Sequence, residues 1–469
     1  MDASQPTTSH QPSEWETFVL ETEHELRLET GQKEGVAIKL AASGSGSAEV
    51  FGTELAPEVE YSIQPNTKLA IFSYTGCRIL VRGSPLVSYT AGETPMASYL
   101  NVHLALEGAR RDASSFSTST NLLKGPRVLV VGPSDVGKSS LCKILLNYSV
   151  KLGHKQVYAD IDCTEVGGLS MPGSISASVF SRVVDVEEGM GGTLVSTGTS
   201  PIVFYYGYGE PLERPKLYSK LVDRLAQVVE AKTQNDAKVR SAGVIVNTPA
   251  QFSESAGYGL LTQAVTAFNI SIVLVLGHER LYSDLTRQFQ GSKEVTVLKL
   301  AKSGGVVSRD KAFRRAVEGA RVREYFYGTP RFPLSPFSNT VKFDDLAVRR
   351  VGDNVTAPSS IMPIGYDRKA AETKVVRVDD ANILLNSVLA LTHADRLGAL
   401  LALSGGATSA PALTSEQETQ LVLDRNVAGF VYVSEVDERK GKVTLLAPYP
   451  GKLPQKYLLM GALKWVETV

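Results

Sequence analysis

Cysteine is scarce: the three in the chain, Cys77, Cys142 and Cys163, lie far apart. That excludes a disulfide framework and a cysteine-ligated zinc site, fits a reducing compartment, and leaves packing as their expected role. Long apolar runs are missing as well. None reaches the roughly 18 residues that a membrane span needs, and no secretory leader opens the sequence, so a cytoplasmic or nuclear protein without membrane contact is expected. Neither sign of charge is in excess, with Lys plus Arg and Asp plus Glu both at 49. Without a global basic field, any RNA contact has to use a local patch. The N-K-x-D segment that reads guanine after a strand is also absent. The nearest strand end reads NTPA, Asn247–Ala250, which disfavours a GTPase switch.

Against these absences stands GPSDVGKSSL, Gly132–Leu141, which fits the phosphate-loop pattern G-x-x-x-x-G-K-[ST] at every required position. A backbone that folds around a phosphate with its N–H groups pointing inward needs residues without a Cβ, which Gly132 and Gly137 supply. Lys138 places a point charge on the terminal phosphates, and Ser139 offers a hydroxyl to Mg²⁺. The N-terminus of the following helix adds its partial positive charge. The flanks agree: RVLVV, Arg127–Val131, reads as a buried strand, and SLCKILLNYSVKLG, Ser140–Gly153, has helical apolar spacing. A bound nucleoside triphosphate with Mg²⁺ is the expectation.

With 43% hydrophobic residues in 469, there is material for about three domains. Residues 1–14 read as a polar, disordered tail. From 15 to 107, short alternating runs such as ELRLET, GVAIKL, KLAIFSY and RILVRG separated by Gly, Pro and Asn turns predict an N-terminal all-β sandwich. Residues 108–126, rich in Ser and Thr and without a sustained apolar face, read as a linker. From 127 to 329, strand-like and helix-like runs alternate: QVYADID, PIVFYYG, PKLYSKLVDRLAQVVEAK, AGVIVNT, GLLTQAVTAFN, SIVLVLG and VTVLKLAK. That order predicts an α/β domain with a mostly parallel sheet, helices on both faces, and its ligand site at the carboxyl ends of the strands. Residues 330–469 read as a smaller C-terminal α/β domain with a hairpin at GFVYVSEVDERKGKVTLLAP and an Ala/Ser/Gly-rich loop around Leu403–Leu413.

Two further features complete the candidate site. YADID, Tyr158–Asp162, ends a strand, and the period of two puts Asp160 and Asp162 on one side. One could hold Mg²⁺, and the other could deprotonate an attacking hydroxyl. Asp162, nearer the carboxyl end, is the better candidate, with Asp160 supporting it. In AKSGGVVSRDKAFRRAVEGARVREYFYG, Ala301–Gly328, a Gly-Gly break precedes a basic helix. Such a segment suits a lid that closes on phosphates, with Arg309 and Arg314 among its arginines, although without the phosphate loop the solvated basic face would be the better reading.

The lid block, the phosphate loop, EVFGTEL at Glu49–Leu55, GHERLYSDL at Gly277–Leu285 and LPQKYLL near the end together resemble the Clp-one family, of fungal type. These are pre-mRNA cleavage complex subunits related to a polyribonucleotide 5′-hydroxyl kinase. The resemblance runs in order from about Phe18 to Trp465. It implies that Glu25, in HELRLE, and Lys68, in PNTKLAIF, reach the adenine of ATP. It further implies that Asp135, Val136, Gly137, Lys138, Ser139 and Ser140 hold the triphosphate and that Arg309 and Arg314 contact it from the lid.

The implied partner is the scaffold subunit of cleavage factor IA that binds the RNA polymerase II C-terminal domain, together with other 3′-end processing subunits in the nucleus, with RNA contact only indirect. Where the family's RNA kinases carry an Arg after the phosphate-loop helix, a Trp that clasps RNA and a further lid Arg, this chain has Lys151, Gln251 and Glu318. Glu165 stands where those kinases have Gln. Loss of an indole removes stacking of about 1–3 kcal/mol, which Phe252 next door could replace only if its loop shifted. Lys lacks the planar guanidinium fork, and Glu on the lid would repel phosphate. The reading is a subunit that holds ATP as a structural ligand. The alternative is an ATP-dependent RNA 5′-hydroxyl kinase with Asp162 as base and Lys138, Arg309 and Arg314 stabilising the transferred phosphoryl group.

Overall fold

The computed structural model describes residues 14–42, 46–115, 123–164, 170–187, 200–292, 294–351, 373–395, 414–451, 453–454 and 456–467. The tail before Glu14, Glu165 and the Leu403–Leu413 loop lie outside the described residues. Nine short strands come first: β1 Glu16–Leu20, β2 His24–Glu29, β3 Val36–Leu40, β4 Glu49–Val50, β5 Thr53–Glu54, β6 Glu60–Ile63, β7 Lys68–Ser73, β8 Cys77–Arg82 and β9 Val87–Ala91. They pair antiparallel into two sheets, ordered β1-β8-β3-β6 and β5-β4-β7-β2-β9. Alternation sorts the side chains. Leu26 and Leu28 of β2 join Ile38, Ile71 and Ile79 in the sandwich interior, where full burial of each contributes about 1.5–3 kcal/mol. The same period sends Glu25, Arg27 and Glu29 to the opposite face, which looks toward the rest of the chain.

Helix α1, Met96–Ser115, then crosses from the sandwich to the central domain. Its last turns, through Ser115, lie in the Gly108–Pro126 stretch that reads as a linker in the sequence. The buried residues Met96, Tyr99, His103, Leu106, Arg110 and Ala113 repeat at helical spacing, but His103 and Arg110 break the apolar stripe. Arg110, 1% exposed, donates from Nε to the Ala242 carbonyl at 3.0 Å and from Nη2 to Gln156 Oε1 at 3.1 Å. A buried guanidinium supplies the anchor that an apolar residue usually would.

The central sheet contains β10 Arg127–Val131, β11 Gln156–Asp160, β12 Ser174–Phe180, β13 Ile202–Tyr205, β14 Val244–Asn247, β15 Ile272–Leu276 and β16 Thr296–Leu300, in the order β13-β12-β11-β14-β10-β15-β16. From β11 to β16 neighbouring strands are parallel, while β12 and β13 add an antiparallel edge. The helices are α2 Lys138–Lys151, α3 Pro215–Asn235, α4 Ala237–Ala242, α5 Tyr258–Ala267, α6 Glu279–Phe289 and α7 Lys311–Tyr327. Both faces of the sheet are covered. Leu129 and Val131 of β10 share a core with α3 and α5, whereas Val128 and Val130 share one with α1 and α2.

The remaining strands are β17 Phe337–Lys342, β18 Ala347–Val351, β19 Val375–Arg377, β20 Ser387–Asp395, β21 Val427–Asp437, β22 Lys442–Ala447 and β23 Lys456–Lys464, in the order β17-β22-β21-β20-β23-β18-β19. Helix α8, Ser415–Leu423, begins with a capping box between Thr414 and Gln417. The expected hairpin is β21–β22. This sheet meets the central one backbone to backbone: Ala462 N donates to the Gly207 carbonyl at 2.6 Å, and a Cβ on Gly461 would stand 2.3 Å from that oxygen.

Candidate nucleotide site

The buried strand β10 runs straight into the phosphate loop, which turns over the carboxyl end of the sheet and into α2. Two glycines meet different needs there. A Cβ on Gly132 would stand 2.6 Å from the Leu276 carbonyl of β15, and Gly137, the residue before α2, has φ +92°, a conformation that L side chains rarely adopt. Lys138 is buried and donates from Nζ to the Pro133 carbonyl at 2.9 Å, back across the loop. The loop opens on a cavity that Asp135, Val136, Gly137, Lys138, Ser139 and Ser140 line, as do Asp162, Arg309 and Arg314. Glu25, Arg27, Glu29 and Lys68 of the N-terminal sheet form its other wall. Gly132 lies behind the lining, where its contact with β15 places it.

Asp160 and Asp162 are both buried, and only the second faces the cavity. Asp160 sits one layer back, with Oδ1 accepting from the Asp162 backbone N–H at 3.1 Å and from Asn247 Nδ2 at 3.1 Å. Asp162 Oδ1 accepts from Thr164 N at 2.9 Å and Thr164 Oγ1 at 2.5 Å. Asn247 Nδ2 also lies 3.3 Å from Ser139 Oγ, so this side chain, at the end of β14, ties the magnesium-type hydroxyl to the carboxylate pair. Among the described residues no group of three or more His, Cys, Asp and Glu could hold a metal ion. A Mg²⁺ that takes most of its oxygens from phosphate and water does not need such a cage.

The lid lies closed on the loop. Asp135, at φ +54°, accepts from Arg309 N at 3.1 Å, Arg309 Nε at 2.7 Å and Arg314 Nη2 at 2.7 Å. Burial pushes its carboxyl up, but the hydrogen bonds and charges of the two arginines outweigh that and hold it below the usual aspartate value. Asp310 caps α7 by accepting from Phe313 N at 2.7 Å. On the N-terminal wall of the cavity Glu25 Oε2 accepts from Thr94 Oγ1 at 3.0 Å. Lys68 Nζ pairs with Glu29 at 2.8 Å and lies 5.2 Å above the Phe313 ring of the lid helix. Every residue that the resemblance assigned to nucleotide contact therefore borders one cavity. Arg27 and Asn247 are additions that spacing did not single out, though the period of two on β2 places Arg27 beside Glu25.

The three departures occupy other places. Lys151 forms an ion pair with Glu54 of the N-terminal domain. Gln251 lies on a short turn, Ala250–Ser253, outside the cavity lining, with its Oε1 buried and without a hydrogen-bond partner among the described residues. Phe252 is no substitute stacking surface, because its ring is fully buried against Tyr218 at 6.2 Å. Glu318 corrects an expectation: it faces a second cavity shared with Arg315, Trp465 and Lys464, not the phosphate end. Burial there raises its carboxyl above the usual value.

Three family models match the chain in succession: the N-terminal β-sandwich domain of polyadenylation factor at 19–113, the P-loop of mRNA cleavage and polyadenylation factor CLP1 at 132–328, and pre-mRNA cleavage complex II protein Clp1 at 334–467. The chain is 40% identical to a CLP1 homolog of Arabidopsis thaliana over 453 residues, 96% of this chain and 94% of the relative. It is 37% identical to one of Nematostella vectensis over the full length of both. It is also 37% identical to the mRNA cleavage and polyadenylation factor clp1 of Botryotinia fuckeliana over 96% of this chain and 93% of that one. Among solved structures, a Clp1p–Pcf11p complex superposes with a TM-score of 0.81 at 26% identity, covering 98% of this chain and all of the other. A second Pcf11p–Clp1p structure, which concerns ATP loss in a point mutant, gives 0.80 at 25% identity over 97% and 99%.

Proposed function

Because the chain belongs to the CLP1 family of mRNA cleavage and polyadenylation factors, we propose that it is a nuclear subunit of the 3′-end processing machinery that holds ATP as a structural ligand and bridges partner subunits. The observation that carries this reading is a single cavity shared by the phosphate loop, the lid and the N-terminal sheet. Lys138, Ser139, Ser140, Arg309 and Arg314 line it with the cations and hydroxyls that a triphosphate requires, and Glu25 and Lys68 line its N-terminal wall with an acceptor and a donor that a purine can use. The Cβ-free turn at Gly137 leaves the loop's N–H groups free to point at phosphate oxygens. Ser139 and Asp162, with Asp160 behind, are the residues that would hold Mg²⁺, whose contribution is to neutralise phosphate charge.

ATP held this way links the N-terminal wall, the loop and the lid into one body. At a concentration a thousand times its dissociation constant, a ligand stabilises the folded state by about 4 kcal/mol. The fixed surface that results suits a scaffold partner, by analogy with the relative solved with Pcf11p. We assign that role to the cleavage factor IA scaffold that binds the RNA polymerase II C-terminal domain. Lys151, Gln251 and Glu318 lie off the cavity lining, so none of the side chains at these three positions is placed to grip an RNA end there.

One observation favours the kinase alternative: Asp162 lines the same cavity as Lys138, where it could accept a proton from an incoming hydroxyl. Incubation with ATP·Mg²⁺ and a 5′-hydroxyl RNA oligonucleotide separates the two readings. The expected result is no labelled RNA and recovery of intact ATP from the protein, with the ATP lost in Lys138→Ala. Multiple-turnover labelling that Lys138→Ala abolishes would replace this reading with that of an RNA kinase.

A further inference from the structure

The lid hinge rests on the N-terminal sheet. A Cβ on Gly305 would stand 2.6 Å from Nε and 2.9 Å from Cδ of Arg27, and one on Gly304 would stand 3.4 Å from both terminal nitrogens of the same guanidinium. Neither glycine is among those with positive φ, so the contact exploits the missing side chain and not backbone freedom. Arg27 cannot swing aside without cost. It is 8% exposed, and it donates from Nε to Glu25 Oε1 at 2.6 Å, from Nη1 to Tyr89 Oη at 3.3 Å and from Nη2 to the Glu93 carbonyl at 2.7 Å. The chain is gripped on both sides of this point. Tyr99 Oη on α1 donates to the Ala301 carbonyl at 3.0 Å before the hinge, and Lys68 sits over Phe313 after it.

One guanidinium thus touches two functional parts at once. Its Nε donates to the Glu25 carboxylate on the N-terminal wall of the cavity, and the same Nε–Cδ segment backs the hinge that leads to Arg309 and Arg314. We propose that Arg27 is a positioning residue that latches the lid: nucleotide leaves only when the Arg27–Gly305 contact parts, and the orientation of Glu25 is coupled to that event. The proposal rests on the ATP reading above. A hinge displaced by the few tenths of an ångström to an ångström that a methyl group demands carries both lid arginines away from Asp135, and charge-assisted hydrogen bonds weaken steeply with such displacement.

The test is a double-mutant cycle on the full chain. It reads the rate at which a fluorescent N-methylanthraniloyl ATP is released when chased with excess ATP, together with the ratio of ATP to GTP affinity. Gly305→Ala and Arg27→Ala are each expected to speed release by about tenfold or more, and the double variant is expected to release no faster than the faster single one, because both remove one contact. Arg27→Lys, which keeps charge without the fork, should not restore slow release. Arg27→Ala should also narrow the preference for ATP over GTP, a change that a loss of packing alone would not produce. Should Arg27→Ala not fold, Gly305→Ala combined with Arg27→Lys carries the same cycle. Release at the unsubstituted rate in the single variants, or fold-changes that multiply in the double, would overturn the latch alone. Failure of the unsubstituted chain to retain ATP would overturn the latch together with the reading beneath it.

Discussion

Asp135 shows how a single side chain can serve the lid before any ligand does. Its carboxylate collects three donors from Arg309 and Arg314, and hydrogen bonds to charged groups contribute about 1.5–3 kcal/mol each when buried. Both arginines are about one-third exposed, so solvent screening brings the pairs well below that range. Asn tolerates the left-handed conformation that the residue adopts at φ +54°. Asp135→Asn therefore keeps the loop and removes the charge. The expected outcome is a folded protein that releases nucleotide about tenfold faster, read by the same chase, whereas slower release would mean that Asp135 restrains the arginines from phosphate. Because the folded carboxyl titrates below the ordinary value of 3.8, its stabilising contribution is complete above that pH and disappears only as the pH falls through the lower value.

At the scale of elements, α1 makes the sharpest prediction. His103 lies on its buried stripe against the Tyr148 ring, with centroids 5.2 Å apart, and its Nδ1 has no hydrogen-bond partner among the described residues. Burial, and then the charge of Arg110, bring its pKa down to about 4, with Glu107 pulling the other way and His154 adding to the fall. A depressed folded value means that the unfolded chain takes up the proton first. Stability is therefore full above about 6.5 and declines as the pH falls toward 4. His103→Phe keeps an aromatic ring against Tyr148 and should flatten that decline, as read by urea unfolding at pH 7 and pH 5.

The same helix explains what the sequence could and could not disclose. The phosphate loop and the parallel strands were legible because spacing and apolar runs encode them locally. Asp162 was legible because it follows the carboxyl end of β11, which closes at Asp160, the place where this architecture binds its ligand. The C-terminal half of α1 was hidden because Arg110 occupies an apolar position, and β12 was hidden because SISASVF buries small hydroxyls at Ser174, Ser176 and Ser178. Arg27 and the true surroundings of Glu318 depend on contacts with distant parts of the chain, Gly305 and Trp465, which no local pattern reports.

For the molecule as a whole, the question is what makes three domains one body. The N-terminal junction packs Phe72 into the apolar cluster of α1 and α2 and adds polar ties: Asn147 donates to the Phe51 carbonyl at 2.9 Å, and Tyr148 Oη donates to the buried Glu49 at 2.5 Å. The C-terminal junction is a close approach of backbones, Gly207 at φ +83° against Gly461. A methyl group on Gly461 would lie 2.3 Å from the Gly207 carbonyl oxygen, 2.5 Å from its Cα and 2.6 Å from Tyr205 Oη. The first two are main-chain atoms that cannot rotate aside, so Gly461→Ala must part β23 from the segment after β13. Overpacking of this kind costs about 1–3 kcal/mol, and the cost falls on the junction, since Gly461 itself has no positive φ to violate. The expected result is loss of amide-exchange protection at Ala462, together with a separate, earlier melting step for the C-terminal sheet. ATP, which in the proposed reading touches only the other junction, should raise the melting temperature of the first two domains in this variant and leave that early step where it is. A single transition that ATP shifts as a unit would mean that the lid helix α7, packed through Phe326 on Trp465, is enough to hold the third domain without the glycine joint.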